Sequence, residues 1–300
     1  MRPVLLVGLV ALGCTEPPGI TLAITPNPIA VGATLDGLVE TTRCDGCDRF
    51  PVQVESLVIE PAGVFEIVGL PAAAFALRAI AAGTATLTFE ATSQGATESF
   101  TRVLVALDAN GVRLQPPPCG GPLVFTIAAP AYAFYEILHD ATPLRSRDYY
   151  PFDATGISID TEASQEGALA VRMPAAPGTG QLTSLLDPSA TLTFDAIAPT
   201  AIDRIEFGTA SAADVFDVVS VGIDVFFGPT RICGDTITRT FTSLTADICT
   251  FRAGSGSSTS VSFAGPNQVD VRGLSAGTCM ISAALAGTSL VATTAITFTM

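Results

Sequence analysis

All four tyrosines of the chain, Tyr132, Tyr135, Tyr149 and Tyr150, lie in one short stretch with its only histidine, His139. Phe134, Arg145, Arg147, Asp148 and Phe152 are interleaved with them. Aromatic rings beside guanidinium and carboxylate groups can stack on a sugar ring and hydrogen-bond its hydroxyls, or anchor a protein partner. Tyr132, Tyr135, His139, Arg145, Arg147, Tyr149 and Tyr150 therefore form the candidate ligand-binding set. The architectural alternative places Tyr132, Phe134 and Leu138 on the core face of a strand, with Tyr149 to Phe152 packing across it.

Seven cysteines stand at positions 14, 44, 47, 119, 233, 249 and 279. Cys44-Asp-Gly-Cys47 is a C-x-x-C, but no second cysteine or histidine pair completes a zinc site. No βαβ context surrounds it, as a thioredoxin-type redox motif would need. Asp-Gly between the cysteines suits a tight turn, so a small loop disulfide is the expectation. Asp45 and Asp48 beside it fall short of the six to eight oxygens that Ca²⁺ takes. No G-x-S-x-G, H-E-x-x-H or EF-hand pattern occurs. Gly254 to Ser260 is a polar turn without the strand-to-helix setting of a phosphate loop. His139 alone leaves a Ser-His-Asp triad formally open but unsupported. All basic side chains are arginine, and the absence of lysine excludes a Walker A loop and Schiff-base chemistry. The expectation is a non-enzymatic protein with no cofactor and no metal.

The elements that must position these residues read as β. The 300 residues suffice for two or three domains. Hydrophobic residues make up 48% of the chain and mean hydropathy is +0.50, yet no run has membrane length. The apolar residues sit in short alternating segments punctuated by Gly and Pro, the pattern of strands that bury one face. Strands are expected at 20–26, 32–42, 52–61, 65–68, 74–80, 84–91 and 100–107, and less clearly at 124–128, 157–160, 168–172 and 191–194. Net charge is −14, and a surface this acidic repels phosphate backbones, which argues against nucleic acid as a partner.

One segment repeats without a gap. Leu77-Arg-Ala-Ile-Ala-Ala-Gly-Thr-Ala-Thr-Leu87 matches Val271-Arg-Gly-Leu-Ser-Ala-Gly-Thr-Cys-Met-Ile281, and Thr42-Arg43-Cys44 matches Thr230-Arg231-Ile232-Cys233 upstream. Two copies of one fold unit follow. In the first copy Ala85, Leu87 and Phe89 should face inward and Thr84, Thr86 and Thr88 outward. Cys279, aligned with Ala85, should point into the core and bridge to Cys233 or Cys249. The remaining one of these and Cys119 stay unassigned. The turn and strand Ala82-Gly-Thr-Ala-Thr-Leu-Thr-Phe89, the opening Leu22-Ala-Ile-Thr-Pro-Asn-Pro28 and Ala201-Ile-Asp-Arg-Ile-Glu-Phe207 resemble strands of bacterial Ig-like (Big-type) domains. That resemblance implies an all-β chain of tandem Ig-like β-sandwich domains: 20–108, a β-rich middle domain at 109–200, and 201–300. It departs from the family in having no Trp.

Arg2 and the apolar run Val4 to Leu12 have the form of an export signal. Ala11-Leu12-Gly13-Cys14 resembles the lipobox of bacterial lipoproteins, with Ala11 and Leu12 in the reverse of the usual order. Ala11 and Gly13 also satisfy the small-x-small rule of ordinary secretion. Lipidation of Cys14 would leave six cysteines, an even number suited to disulfides. Residues 1–14 are thus read as the signal and 15–19 as a Pro-rich tether. Thr15, in place of the Asp that retains lipoproteins in the inner membrane, implies the outer membrane. The expectation is a lipid-anchored envelope protein, structural or adhesive, with a glycan or protein as its partner.

Overall fold

The computed structural model describes residues 19–24, 28–42, 49–68, 74–93, 96–115, 119–208, 212–253, 256–264 and 268–300. Regular structure among them is β throughout, apart from the single 3-10 turn Pro199–Ala201. The expected signal, the Cys14 anchor and the Cys44–Cys47 loop lie outside the described residues.

The strands form three pairs of sheets with one recurring order. In the first pair, Gly19–Ile24, Thr34–Thr42, Ala74–Ala79 and Phe65–Ile67 make one sheet, while Ile29–Ala30, Ala96–Leu107, Gly83–Ser93 and Val54–Glu60 make the other. In the second, Gly111–Leu114, Pro130–His139, Ala168–Arg172 and Ser158–Ile159 accompany Leu123–Thr126, Thr191–Ile197, Gly178–Ser184 and Phe152–Thr155. In the third, Arg204–Phe207, Val218–Phe227, Gln268–Gly273 and Cys249–Ala253 accompany Ala213–Asp214, Val291–Thr299, Gly277–Leu285 and Thr238–Ser243. Each time a short strand joins the last long strand of its pair in parallel, at Ile29↔Ala106, Leu123↔Phe194 and Ala213↔Phe298. Apart from these short parallel strands, this is the Greek-key strand order of an immunoglobulin sandwich. The chain is therefore an all-β tandem of Ig-like sandwiches.

Local sequence explains the strands. Along Gly83–Ser93 the residues Ala85, Leu87 and Phe89 are buried while Thr84, Thr86 and Thr88 lie on the other face. Cys279, Ile281, Ala283 and Leu285 repeat the pattern along Gly277–Leu285. Period two with one apolar face is what burying one side of a sheet demands. Both copies of the Ala-Gly-Thr repeat bend at glycine, with φ +154° at Gly83 and +146° at Gly277. A Cβ there would come within 3.2 Å of Val64 and 3.0 Å of Ile248, so both the angle and the space favour glycine.

By contacts the chain divides into two compact units, residues 1–111 with 137–149, and residues 112–136 with 150–300. The strand Pro130–His139 thus gives Ile137–His139 to the first unit and Pro130–Glu136 to the second. The third pair of sheets, in the second unit, encloses a core around Val221, Ile223, Phe241, Phe251, Val271 and Phe298.

Candidate functional site

The Tyr-rich stretch begins on Pro130–His139, whose residues alternate buried and exposed. Its core face is Ala131, Ala133, Tyr135 and Ile137. This corrects the architectural reading, which put Tyr132, Phe134 and Leu138 inward: Tyr132 is 51% exposed and Phe134 36%. It also removes Tyr135 from the ligand-binding set, because that side chain is only 1% exposed and its ring packs edge-on to Phe152 at 5.0 Å. Tyr150 is half-buried beside Pro151 and Phe152.

The polar members of the set occupy the first unit, where they hold the chain together. The His139 Nδ1–H donates to the Asp108 carbonyl at 2.7 Å, which leaves Nε2 3.8 Å from the Asp140 carboxylate. No hydroxyl or thiol hydrogen-bonds to His139 among the described residues, so no nucleophile–base pair forms there. Arg145 runs parallel to Ile29: its N–H donates to the Pro28 carbonyl at 3.0 Å and its carbonyl accepts from Ala30 at 2.9 Å. Arg147 is ion-paired with Asp36 and lies 3.7 Å from the Asp148 carboxylate, while its carbonyl accepts from the Thr34 N–H at 2.9 Å. The Tyr149 ring lies on Gly32, where φ is +95° and a Cβ would stand 3.0 Å from the ring. Burial, and secondarily the Asp108 carboxylate, push the Tyr149 phenol above its ordinary value. Arg147 and Tyr149 thus each already have an architectural contact, the one an exposed ion pair with Asp36 and the other a half-buried ring against Gly32.

Tyr132 and Phe134 remain available, and in the second unit they line an apolar cavity of about 220 Å³. Leu123, Phe125, Pro130 and the disulfide Cys119–Cys233 complete its wall. The loop carrying Cys233 is held against the strand Leu123–Thr126 by main-chain bonds. Cys233 N–H donates to Val124 at 2.7 Å, Thr126 N–H donates to Gly234 at 3.2 Å, and Gly234 runs parallel to Phe125. The two units use the same device, a loop laid parallel to a short strand, at Arg145–Ile29 and at Gly234–Phe125. The expected strand at 124–128 covers Phe125, whereas Leu123 and Cys119 have no local sequence signal. Only elimination marks Cys119, as the cysteine left once the other bridge is fixed.

That other bridge is Cys249–Cys279, with both residues fully buried in the core of the third pair of sheets. Cys279 points inward as the repeat requires, and Cys249 rather than Cys233 is its partner. All four described cysteines are thus paired, as suits a protein of an oxidising, extracytoplasmic compartment. Among the described residues no three or more His, Cys, Asp or Glu side chains are grouped to hold a metal.

No family model and no curated protein matches the chain. Among solved structures it is similar to domains 4–9 of the surface layer protein SbsC, at 10% identity and TM-score 0.26, over 94% of this chain and 48% of that one. The chain thus spans about half the length of that structure. The D00–D0 domain of intimin is similar at 13% identity and TM-score 0.25, over 63% of this chain and 100% of that one. The Yersinia pseudotuberculosis adhesin InvE is similar at 14% identity and TM-score 0.26, over 63% of this chain and 59% of that one.

Proposed function

We propose that this protein is a non-enzymatic cell-envelope lipoprotein, anchored through Cys14 to the outer membrane, whose Ig-like sandwiches play a structural or adhesive role. The observation that carries this reading is the use of the cross-link Cys119–Cys233. It ties the second pair of sheets to a loop of the third, beside main-chain bonds, as a structural staple does. The only histidine donates to a backbone carbonyl, which further favours architecture over catalysis. The export signal read from residues 1–14 agrees with paired cysteines, and the Big-type resemblance fits the recurring sandwich.

The test is the intact mass of the mature protein from native membranes, with thiol alkylation before and after reduction. Acyl chains on an N-terminal Cys14, with Cys119, Cys233, Cys249 and Cys279 alkylated only after reduction, are expected. A soluble, unacylated chain would overturn the anchor. A second reading, a carbohydrate- or peptide-binding lipoprotein, is favoured by the cavity beside Tyr132 and Phe134. Replacing both with Ala should abolish binding to a glycan array or peptide library at unchanged melting temperature. Unchanged binding would remove that reading.

A further inference from the structure

On the second unit, away from the Tyr-rich strand in sequence, a cavity of about 410 Å³ is lined by Phe216, Val218, Arg252, Ser257 and Arg272. That volume lies in the ordinary range of small-molecule sites, about 300 to 1,000 Å³. Two features set this place apart.

The first is charge. On a chain of net charge −14, cations are expected to find carboxylates, and Arg113, Arg172, Arg204 and Arg231 each have one within 4 Å. Arg252 and Arg272 have none among the described residues, although both line this one cavity. Asp270, two residues along the strand from Arg272, accepts from the Ser220 hydroxyl at 2.6 Å instead. The ladder pairs Thr250 with Arg272, and Arg252 follows two residues after Thr250. The two guanidinium groups therefore rise from the same face on adjacent strands.

The second is an aromatic ring held in a costly conformation. Phe216 is 65% exposed and has φ +76°, a region that bulky residues avoid. Main-chain bonds fix it there: Phe216 N–H donates to Gly273 at 3.1 Å, and Gly273 N–H donates to Asp217 at 3.2 Å.

We propose that this cavity binds a carboxylate-bearing sugar, a uronic acid residue of an acidic glycan. The ring face of Phe216 stacks on the sugar, Arg252 and Arg272 hold the carboxylate, and the Ser257 hydroxyl meets a ring hydroxyl. Guanidinium–carboxylate pairs are strong and directional, which gives the acid its selectivity over a neutral sugar. An extended peptide is the poorer fit. The cavity floor is paired sheet, with Val218↔Arg272, Thr250↔Arg272 and Arg252↔Ser257 in register, and its only terminal strand, Gly256–Ser258, gives such a peptide an edge of three residues.

The test is calorimetric titration of the full-length chain with trigalacturonate, with neutral galactotriose, a glutamate-rich peptide and inorganic phosphate as comparisons. Trigalacturonate should bind and galactotriose should not. Arg252→Gln and Arg272→Gln should each weaken binding by roughly tenfold or more. Phe216→Gly should also weaken it while the melting temperature holds or rises, because glycine adopts that φ freely. A purely structural Phe216 would instead lower the melting temperature and leave affinity unchanged. No binding of trigalacturonate, or binding indifferent to both arginine substitutions, would overturn the proposal. So would equal, arginine-dependent binding of phosphate or the peptide, which would make the site a general anion or peptide site.

Discussion

Arg239 and Asp235 offer the sharpest quantitative test of how the second unit is held. Their side chains are 0% and 4% exposed, and Arg239 Nη2 donates to Asp235 Oδ2 at 2.5 Å. Asp235 Oδ1 accepts from the Ile237 N–H at 2.9 Å, while Arg239 Nη1 donates to the Ile237 carbonyl at 3.1 Å and Nε has no partner. Asp235→Asn keeps the shape and the acceptor for Ile237 but leaves a guanidinium buried without its counter-charge. Breaking such a pair from one side costs about 3–5 kcal/mol. That is a large part of the roughly 5–15 kcal/mol that holds a folded domain. For a unit of this size each kcal/mol lowers the melting temperature by about 2–4 °C, so a drop of roughly 6 °C or more is expected. Differential scanning calorimetry of the full chain reads it. Combining Asp235→Asn with Arg239→Met removes both charges and should recover most of the loss, because a buried ion pair is often replaceable by apolar packing. Asp235 follows Gly234 and Cys233, which bond to Thr126 and Val124, so hydrogen exchange at the Cys233 and Thr126 amides should accelerate in the single variant. A loss below about 1 kcal/mol, in the range of exposed pairs, would refute the claim that this charge is held without water. So would a double variant no more stable than the single one.

Two further outcomes follow from the same geometry. Tyr149 holds its proton more tightly when folded, because burial and the Asp108 carboxylate disfavour the phenolate. Its contribution is therefore intact below the ordinary tyrosine value of about 10 and is lost as pH climbs from there through the raised folded value. Tyr149→Phe should flatten the alkaline fall in stability measured by urea unfolding between pH 9 and 11, and an unchanged slope would contradict the burial. Cys249 and Cys279 close a loop with a separation of 30 residues. Chain entropy makes that bridge worth about 3–4 kcal/mol, so the Cys249→Ala/Cys279→Ala variant should lower the denaturation midpoint, with the m-value rising as the unfolded chain loses its cross-link. A loss well under 1 kcal/mol would mean that packing around the two buried sulfurs already carries the core.

The sequence by itself determined whatever depends on near neighbours in the chain. Alternation fixed the inward set Ala85, Leu87 and Phe89, and the repeated Ala-Gly-Thr fixed the two glycine bends and, through alignment, the inward aim of Cys279. Strand Pro130–His139 was not decidable in the same way. Both of its faces carry large apolar residues, Tyr135 and Ile137 on one, Tyr132 and Phe134 on the other, and composition favours neither. Pairing with Ala168–Arg172 in one register, opposite a core that already holds Phe152, selects the first, because a shift of one residue would exchange the faces. The tyrosine cluster was therefore visible as a cluster, while its division into packing and exposed residues was not. The same limit applies to Cys119 and Cys233, whose separation of 114 residues carries no local pattern. It applies as well to Arg252, Arg272 and Phe216, ordinary residues in the sequence that only the ladder and the turn bring to one cavity. Tertiary structure decided these, because which charge stays unpaired and which ring stays uncovered depends on what folds against it from elsewhere in the chain.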